Sequence, residues 1–236
     1  MMGIFLLGLG LILWSYAGWD AGVRLFSGKT IRQGNGPGKR VHLSFDDGPD
    51  PRYTPILLDI LRQKNVPATF FVVGKRAAAA PDLIRMMREF GHEIGWHTYF
   101  HRHAYCLSPW RSMETMRRGK AELEEILGKQ LRWFRPPWGA SNVFQGWVAK
   151  RMGLQVVLWT ANAQDWKFST GKTEIIRRLQ SRVKPNTIIV LHDAGGEPGA
   201  PGNMLEALPE VIDTLRAAGY EFVSLHEITG GKYGGH

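Results

Sequence analysis

Short apolar runs recur along the chain, and the stretches between them repeat their apolar positions every three to four residues. The runs are VHLSF (41–45), ATFFVV (68–73), HEIGW (92–96), LRWF (131–134), LQVVLW (154–159), TIIVL (187–191) and YEFVSL (220–225). Rich in β-branched and aromatic residues, they predict strands. Between them, Thr54–Lys64 places Ile56, Leu57, Ile60 and Leu61 on one helical face, and Asp82–Phe90 does the same with Leu83, Ile84, Met86 and Met87. A long helix is expected over Pro109–Leu127, and others over 142–152, 172–182 and 203–218. Strands alternating with helices imply a parallel sheet. About seven of them in one α/β domain predict a distorted (β/α) barrel rather than an open doubly wound sheet. No strand is followed by a Gly-rich phosphate loop, which argues against a nucleotide fold.

The pattern changes at the N-terminus. Gly3 to Trp19 carries no charged side chain, and Asp20 ends the run. Seventeen residues lie at the short end of what crosses a hydrocarbon core, with Trp14, Tyr16 and Trp19 at one end as interfacial aromatics. No Lys or Arg precedes the run, as it would in a cleavable signal peptide. An N-terminal apolar helix is therefore expected over 1–22, as an uncleaved membrane anchor or a signal-like helix. A Gly-rich polar linker is expected over 23–38, and a single domain over 39–236. Arg24, Lys29, Arg32, Lys39 and Arg40 follow the run, and by the positive-inside rule they would hold the domain in the cytoplasm.

Composition narrows the classes. The 236 residues are 44% hydrophobic and 22% charged, ordinary globular values that exclude wholesale disorder. A single cysteine, Cys106, excludes an intrachain disulfide framework and a cysteine-built zinc site. A formal net charge of +9 favours anionic surroundings. No nucleic-acid recognition motif accompanies it, so no nucleic-acid partner is expected.

In a (β/α) barrel, chemistry gathers where strands end. Here 41–45 runs into Asp46-Asp47-Gly48-Pro49, and 92–96 into His97-Thr98-Tyr99-Phe100-His101. Strand 131–134 runs into Arg135-Pro136-Pro137-Trp138-Gly139; 154–159 is followed by Asp165-Trp166, and 187–191 by His192-Asp193. Histidines four apart share a face if their segment makes a helical turn, so both could hold one metal. Each cluster alone has an ordinary explanation, as a turn, a surface pair or a core histidine. Five at the same end of successive strands do not.

The segments SFDDGPDPRYT, ATFFVVG, GHEIGWHTYFH, RPPWG, DW and LHD resemble the ordered motif set of the polysaccharide deacetylases, carbohydrate esterase family 4, over about Arg40 to Glu227. The resemblance implies that Asp47, His97 and His101 bind a divalent metal, zinc first and cobalt, nickel or iron as alternatives. Asp46 would be the general base that activates water, and Arg135 would orient it. His192 would protonate the departing amine, with Asp165 holding it and raising its pKa. A backbone N–H at the Pro137–Trp138 turn would help stabilise the oxyanion, Leu191 would line the acetyl-methyl pocket, and Trp138 and Trp166 would face sugar rings.

The implied reaction releases acetate from N-acetylglucosamine or N-acetylmuramic acid units of a glycan, peptidoglycan or chitooligosaccharide-like. That substrate lies outside the membrane of a bacterial cell, against the charge rule above. A deacylase of a lipid-linked amino sugar, an esterase of O-acetylated xylan and an inactive glycan-binding protein are the other readings. The oligomeric state stays open. Trp96, where the family often has Asn, is expected to reshape a subsite. His103 is an extra imidazole read as a surface or supporting group, and residues 193–203 read as a lip over the cleft or a plain loop.

Overall fold

The computed structural model describes residues 30–102, 109–140 and 143–231. The apolar run 3–19, the start of the expected linker, His103 and Cys106 lie outside them. Among the described residues no helix is long and apolar enough to cross a membrane.

Strand β1 (Arg40–Asp46) is the centre of the sheet. Around it run α1 (Thr54–Lys64), β2 (Ala68–Val72), α2 (Gly74–Ala79), α3 (Pro81–Glu89), β3 (Glu93–Trp96) and α4 (Pro109–Leu127). Next come β4 (Trp133–Phe134), α5 (Val143–Arg151), β5 (Gln155–Val156), β6 (Ala161–Asn162), α6 (Lys172–Arg182) and β7 (Thr187–His192). The chain ends in α7 (Ala200–Ala217), β8 (Glu221–Phe222) and α8 (Leu225–Ile228). The spatial order is β5-β4-β3-β2-β1-β7-β6, every pair parallel. β8 pairs with Arg40 and Val41, while β2 takes Leu43–Asp46 of the same strand.

The result is a parallel half-barrel, and residues 31–33 bridge its open side. Ile31 N donates to Val156 O (2.8 Å), Leu158 N donates to Ile31 O (2.7 Å), and Gln33 pairs with Thr187. The sheet therefore takes in residues ahead of Lys39. Val157 N donates to Phe134 O on one side and Leu158 N to Ile31 O on the other, the alternation of a strand between two neighbours.

Strand alternation sorts the side chains into two cores. Leu43, Phe45, Phe70, Val72, Trp96, Phe134, Ile189 and Leu191 face outward onto helix residues such as Leu57, Leu61, Ile84, Leu208 and Ile212. Ile31, Phe71, Trp133, Val157, Ile188, Val223, Leu225 and Ile228 fill the inside. One polar group on the inner face ties several elements together. Glu93 accepts from Trp133 Nε1 (3.1 Å) and from the Leu225 backbone N–H (2.7 Å), fixing β3, β4 and α8 to one another.

Several elements differ from expectation: β4, β5 and β8 are shorter than the apolar runs that predicted them, and α8 is a further helix at the end of the last run. β6 is an additional strand, and α2 an additional helix whose GKRAAA sequence has no amphipathic period to reveal it. α7 begins at Ala200 rather than 203, because Pro201 sits in its first turn, where the missing N–H costs nothing.

Gly95 lies on the inner face of β3. A Cβ there would lie 2.5 Å from the Phe71 ring and 3.2 Å from Trp133 Cβ. Gly95→Ala should destabilise the domain by about 1–3 kcal/mol through overpacking, measured from urea midpoints. An unchanged midpoint would show that the interior is not packed as described.

Candidate active site

The inner face is apolar at mid-height and charged at the C-terminal ends of the strands. Asp46 follows His42 and Ser44 on the inner positions of β1, and Arg135 follows Trp133 on β4. His192 follows Ile188 and Val190 on β7, and His97 stands one residue past β3 in the same alternation.

Arg135 is fully buried and makes four hydrogen bonds. Nη1 donates to Asp46 Oδ1 (2.7 Å) and Ser44 Oγ (2.8 Å), Nε to Val157 O (3.2 Å) and Nη2 to Leu158 O (3.2 Å). Its guanidinium lies 3.9 Å from the centroid of the Phe71 ring, a cation over an aromatic face. Burial pulls its pKa below the ordinary value and Asp46 opposes the shift; a guanidinium nevertheless stays protonated. Asp46, 3% exposed, is thus paired on one oxygen, while Oδ2 lies 3.9 Å from His97 Nε2.

Beyond Asp46 the chain turns sharply, with Asp47 in the left-handed region (φ 75°). Asp47 Oδ1 lies 3.0 Å from His101 Nε2 and 3.4 Å from His97 Nε2, and the ligand atoms of the three residues lie within 4.8 Å of one another. Oδ1 is buried, yet despite this proximity it makes no hydrogen bond of acceptable angle. With the two imidazole nitrogens it forms a cluster compact enough to hold one ion. His97 Nδ1 lies 2.7 Å from the Arg135 carbonyl, so that nitrogen donates and Nε2 is left as the lone-pair atom. Burial would raise the Asp47 pKa, but the contacts from His101 and His97 outweigh it and hold the carboxyl below the ordinary range. The donor set therefore fits a divalent cation: two imidazoles and an ionised carboxylate, oriented and only partly exposed.

The histidines do not share a helical turn. Thr98 (φ 68°) and His101 (φ 49°) are left-handed, and the 97–102 segment is a bent loop. What holds it is the start of α2, where Gly74 N and Lys75 N donate to Thr98 O (2.9 Å) and Tyr99 O (3.0 Å). A Cβ at Gly74 would collide with the Tyr99 ring at 2.6 Å, so the close approach requires glycine.

Opposite the triad, Asp165 Oδ2 accepts from the His192 backbone N–H (2.7 Å) and Oδ1 lies 3.1 Å from His192 Nδ1. Burial lowers the His192 pKa, but Asp165, with smaller help from Asp46 and Asp47, raises it to about 9. The imidazole is therefore protonated at neutral pH.

A cavity of about 490 Å³ joins these groups, walled by Trp138, Trp159, Trp166, Val190 and Arg76. Trp138 is exposed, left-handed (φ 57°), and its ring lies 4.5 Å from that of His101; Pro137 beneath it is buried. Trp166 meets His192 edge-on at 5.3 Å. Two expectations fail by parity. Leu191 is in the outer core and does not line the cavity; Val190, one position away, does. Trp96 is likewise fully buried in the outer core against Phe134 and reshapes no subsite.

The 193–203 stretch is tied down rather than draped as a lip. Glu197 N donates to Trp166 O (2.8 Å), and Glu197 Oε2 accepts from Phe168 N (2.8 Å). Gly195 packs against Asp47, where any Cβ would collide with the carboxylate. Asp193 is wholly buried and accepts from Thr54 Oγ1 (2.5 Å), which itself accepts from Asp50 N (2.8 Å). Burial raises its pKa to about 7. This tie pins the loop after Asp47. Sequence reading named Asp193 only as part of a strand tip and missed Arg76, Trp159 and Val190; of these three only Val190 carried a signal, its alternation with His192.

Zinc titration calorimetry tests the ligand set. His97→Ala and Asp47→Ala should each weaken zinc binding by at least tenfold, while Asp46→Asn should retain it. Equal loss in all three would mean that the two aspartates do not have separate roles.

With this geometry in view, comparisons with known proteins agree in direction. A family model described as polysaccharide deacetylase matches residues 33–157. A "Peptidoglycan-N-acetylglucosamine deacetylase" of Bacillus cereus is 36% identical over 192 residues, covering 80% of this chain and 88% of the relative. A protein of the same description from Listeria monocytogenes is 30% identical over 82% of this chain, which spans only 40% of that relative's length. The crystal structure of another peptidoglycan N-acetylglucosamine deacetylase superposes with a TM-score of 0.79 at 27% identity, covering 87% of this chain and 94% of that one.

Proposed function

This chain belongs to the polysaccharide deacetylase family, and from that premise we propose that it removes N-linked acetyl groups from amino-sugar units of peptidoglycan, with zinc as the resident metal. It is an enzyme, a glycan deacetylase that hydrolyses carbon–nitrogen bonds other than peptide bonds. The observation that carries the reading is the facing arrangement of two unlike devices across one cavity: the Asp47–His97–His101 triad beside a buried carboxylate, and a protonated imidazole opposite.

A divalent cation held by Asp47, His97 and His101 would supply Lewis-acid chemistry, polarising the acetyl carbonyl and acidifying a water. Arg135 pairs with Asp46 Oδ1 and fixes its rotamer, leaving Oδ2 on the side of the triad to accept the proton of the attacking water. Water oxygen adds to the carbonyl carbon and the carbon–nitrogen bond breaks. The departing nitrogen takes its proton from His192, which Asp165 holds in place. Acetate and a free amino sugar leave. A backbone N–H at the Pro137–Trp138 turn would donate to the developing oxyanion. Val190 takes the acetyl-methyl wall in place of Leu191, and Trp138 and Trp166 offer flat faces to sugar rings.

We place the domain outside a bacterial cell membrane, where such a glycan lies, with the apolar run 3–19 as a single-pass anchor. The charges behind that run oppose this orientation. Protease treatment of intact cells tests it: cleavage of the domain supports the placement, and protection reverses it.

Acetate release from chitotetraose and from purified peptidoglycan, by metal-loaded protein, tests the activity. Wild type should release acetate, and Asp46→Asn should lose at least 100-fold in kcat, within the range general base catalysis contributes. No release from either glycan by the wild type would end the proposal.

The pH profile tests His192 independently. Activity that needs its proton is full below its pKa and falls above it, so the alkaline limb should lie near pH 9. Asp165→Asn removes the main raising group, and the limb should move toward the ordinary value of 6.5. An alkaline limb that ignores Asp165→Asn would take the acid role away from His192.

A further inference from the structure

A second cavity, of about 480 Å³, lies on the other side of the 97–102 loop. His97 and His101 face the cleft described above, while Thr98, Tyr99, Phe100 and Arg102 line the second space. The two cavities therefore share one wall, a single loop thick. The same division holds on α2, where Arg76 faces the first cavity and Lys75 the second.

The lining of the second cavity is strongly biased. Lys75, Arg102, Arg111 and Arg118 stand against one carboxylate, Glu114. Arg118 is paired with Glu122 one turn along α4 (3.1 Å), so the four cations face two carboxylates, a formal excess of +2 in a space the size of a small-ligand pocket. Arg102 lies over the Phe100 ring (5.4 Å), which meets Tyr99 edge-on at 4.6 Å, so aromatic surface and cationic groups are presented together. Neutral sugars have no use for such an excess; carboxylates do, since Arg and Lys bind them by charge-assisted hydrogen bonds.

We propose that this cavity is a subsite for a carboxylate-bearing branch of the glycan, such as the lactyl or peptide substituent of a muramic acid unit, lying across the 97–102 loop while a neighbouring acetamido group occupies the catalytic cleft. The proposal rests on the deacetylase reading above and adds to it the residues that would hold the anionic substituent of that glycan. The same loop then has two functions. Its inner side presents the metal-binding histidines, and its outer side selects which glycan stays bound.

The test compares two substrates of similar length: chitotetraose, which is neutral, and a peptidoglycan-derived tetrasaccharide carrying free carboxylates. The enzyme is the full metal-loaded chain, as wild type and as the double variant Lys75→Gln/Arg102→Gln, both substitutions being at exposed positions. The expected result is a rise of about tenfold in KM for the anionic tetrasaccharide, with kcat for it held. Both constants for chitotetraose should stay within twofold, and zinc content should be unchanged. Because chitotetraose turnover is measured on the same preparation, misfolding would show as a loss on both substrates. Equal KM changes on the two substrates, or none on the anionic one, would overturn the subsite and leave the deacetylase reading standing. Release from neither substrate by the wild type would overturn the reading on which the subsite rests.

Discussion

The buried guanidinium of Arg135 is the interaction on which the rest depends. It binds β1 through Ser44 and Asp46, and the chain after β5 through the carbonyls of Val157 and Leu158. Those same residues meet Ile31, which bridges the open side of the half-barrel. One side chain thus closes the inner face beneath the site and holds the carboxylate proposed as the general base. Removing one partner of such a pair leaves the other charge buried and uncompensated, at a cost of about 3–5 kcal/mol. Even the backbone of Arg135 takes part, since its carbonyl oxygen selects the tautomer of His97.

Around that anchor, like groups receive unlike environments. Asp47 is held ionised by the histidines it faces, whereas Asp193, close in space but surrounded by apolar packing and Thr54, is pushed up to about 7. His97 is oriented by the Arg135 carbonyl, while His192 is kept protonated by Asp165. Separating acids from bases in this way is what lets one cavity run both halves of an amide hydrolysis at neutral pH. The backbone bears part of the cost, since Asp47, Thr98, His101 and Trp138 are all left-handed without being glycine. Such strain persists where surrounding contacts over-determine it, here the α2 amides on the 97–102 loop.

Much of this was legible in the chain. Period-two alternation and the sequence of strand, polar tip and helix marked five of the strand ends, and the structure brings them to one rim. The same alternation would have placed Val190 rather than Leu191 in the cavity and turned Trp96 away from it, had it been applied from His192 and His97 backwards. Other features had no local signal. Whether His97 and His101 share a helical turn depends on Gly74 and Lys75, more than twenty residues earlier, and β6, Trp159 and the Ile31 bridge depend on partners across the sheet. The cationic cavity draws on three separate segments, around residues 75, 100 and 111–118, so the net charge of +9 could hint at an anionic partner but not at where it binds.

The most direct measurement is kcat for acetate release from chitotetraose by zinc-loaded Arg135→Lys beside the wild type, with bound zinc counted in both. The substitution keeps the positive charge and removes the fork that ties Asp46 to Ser44 and to the chain after β5. The proposed mechanism predicts acetate release by the wild type and a loss of at least tenfold in kcat in the variant, with zinc retained. Zinc-loaded wild type that releases no acetate, or a variant that matches it, would contradict the central claim.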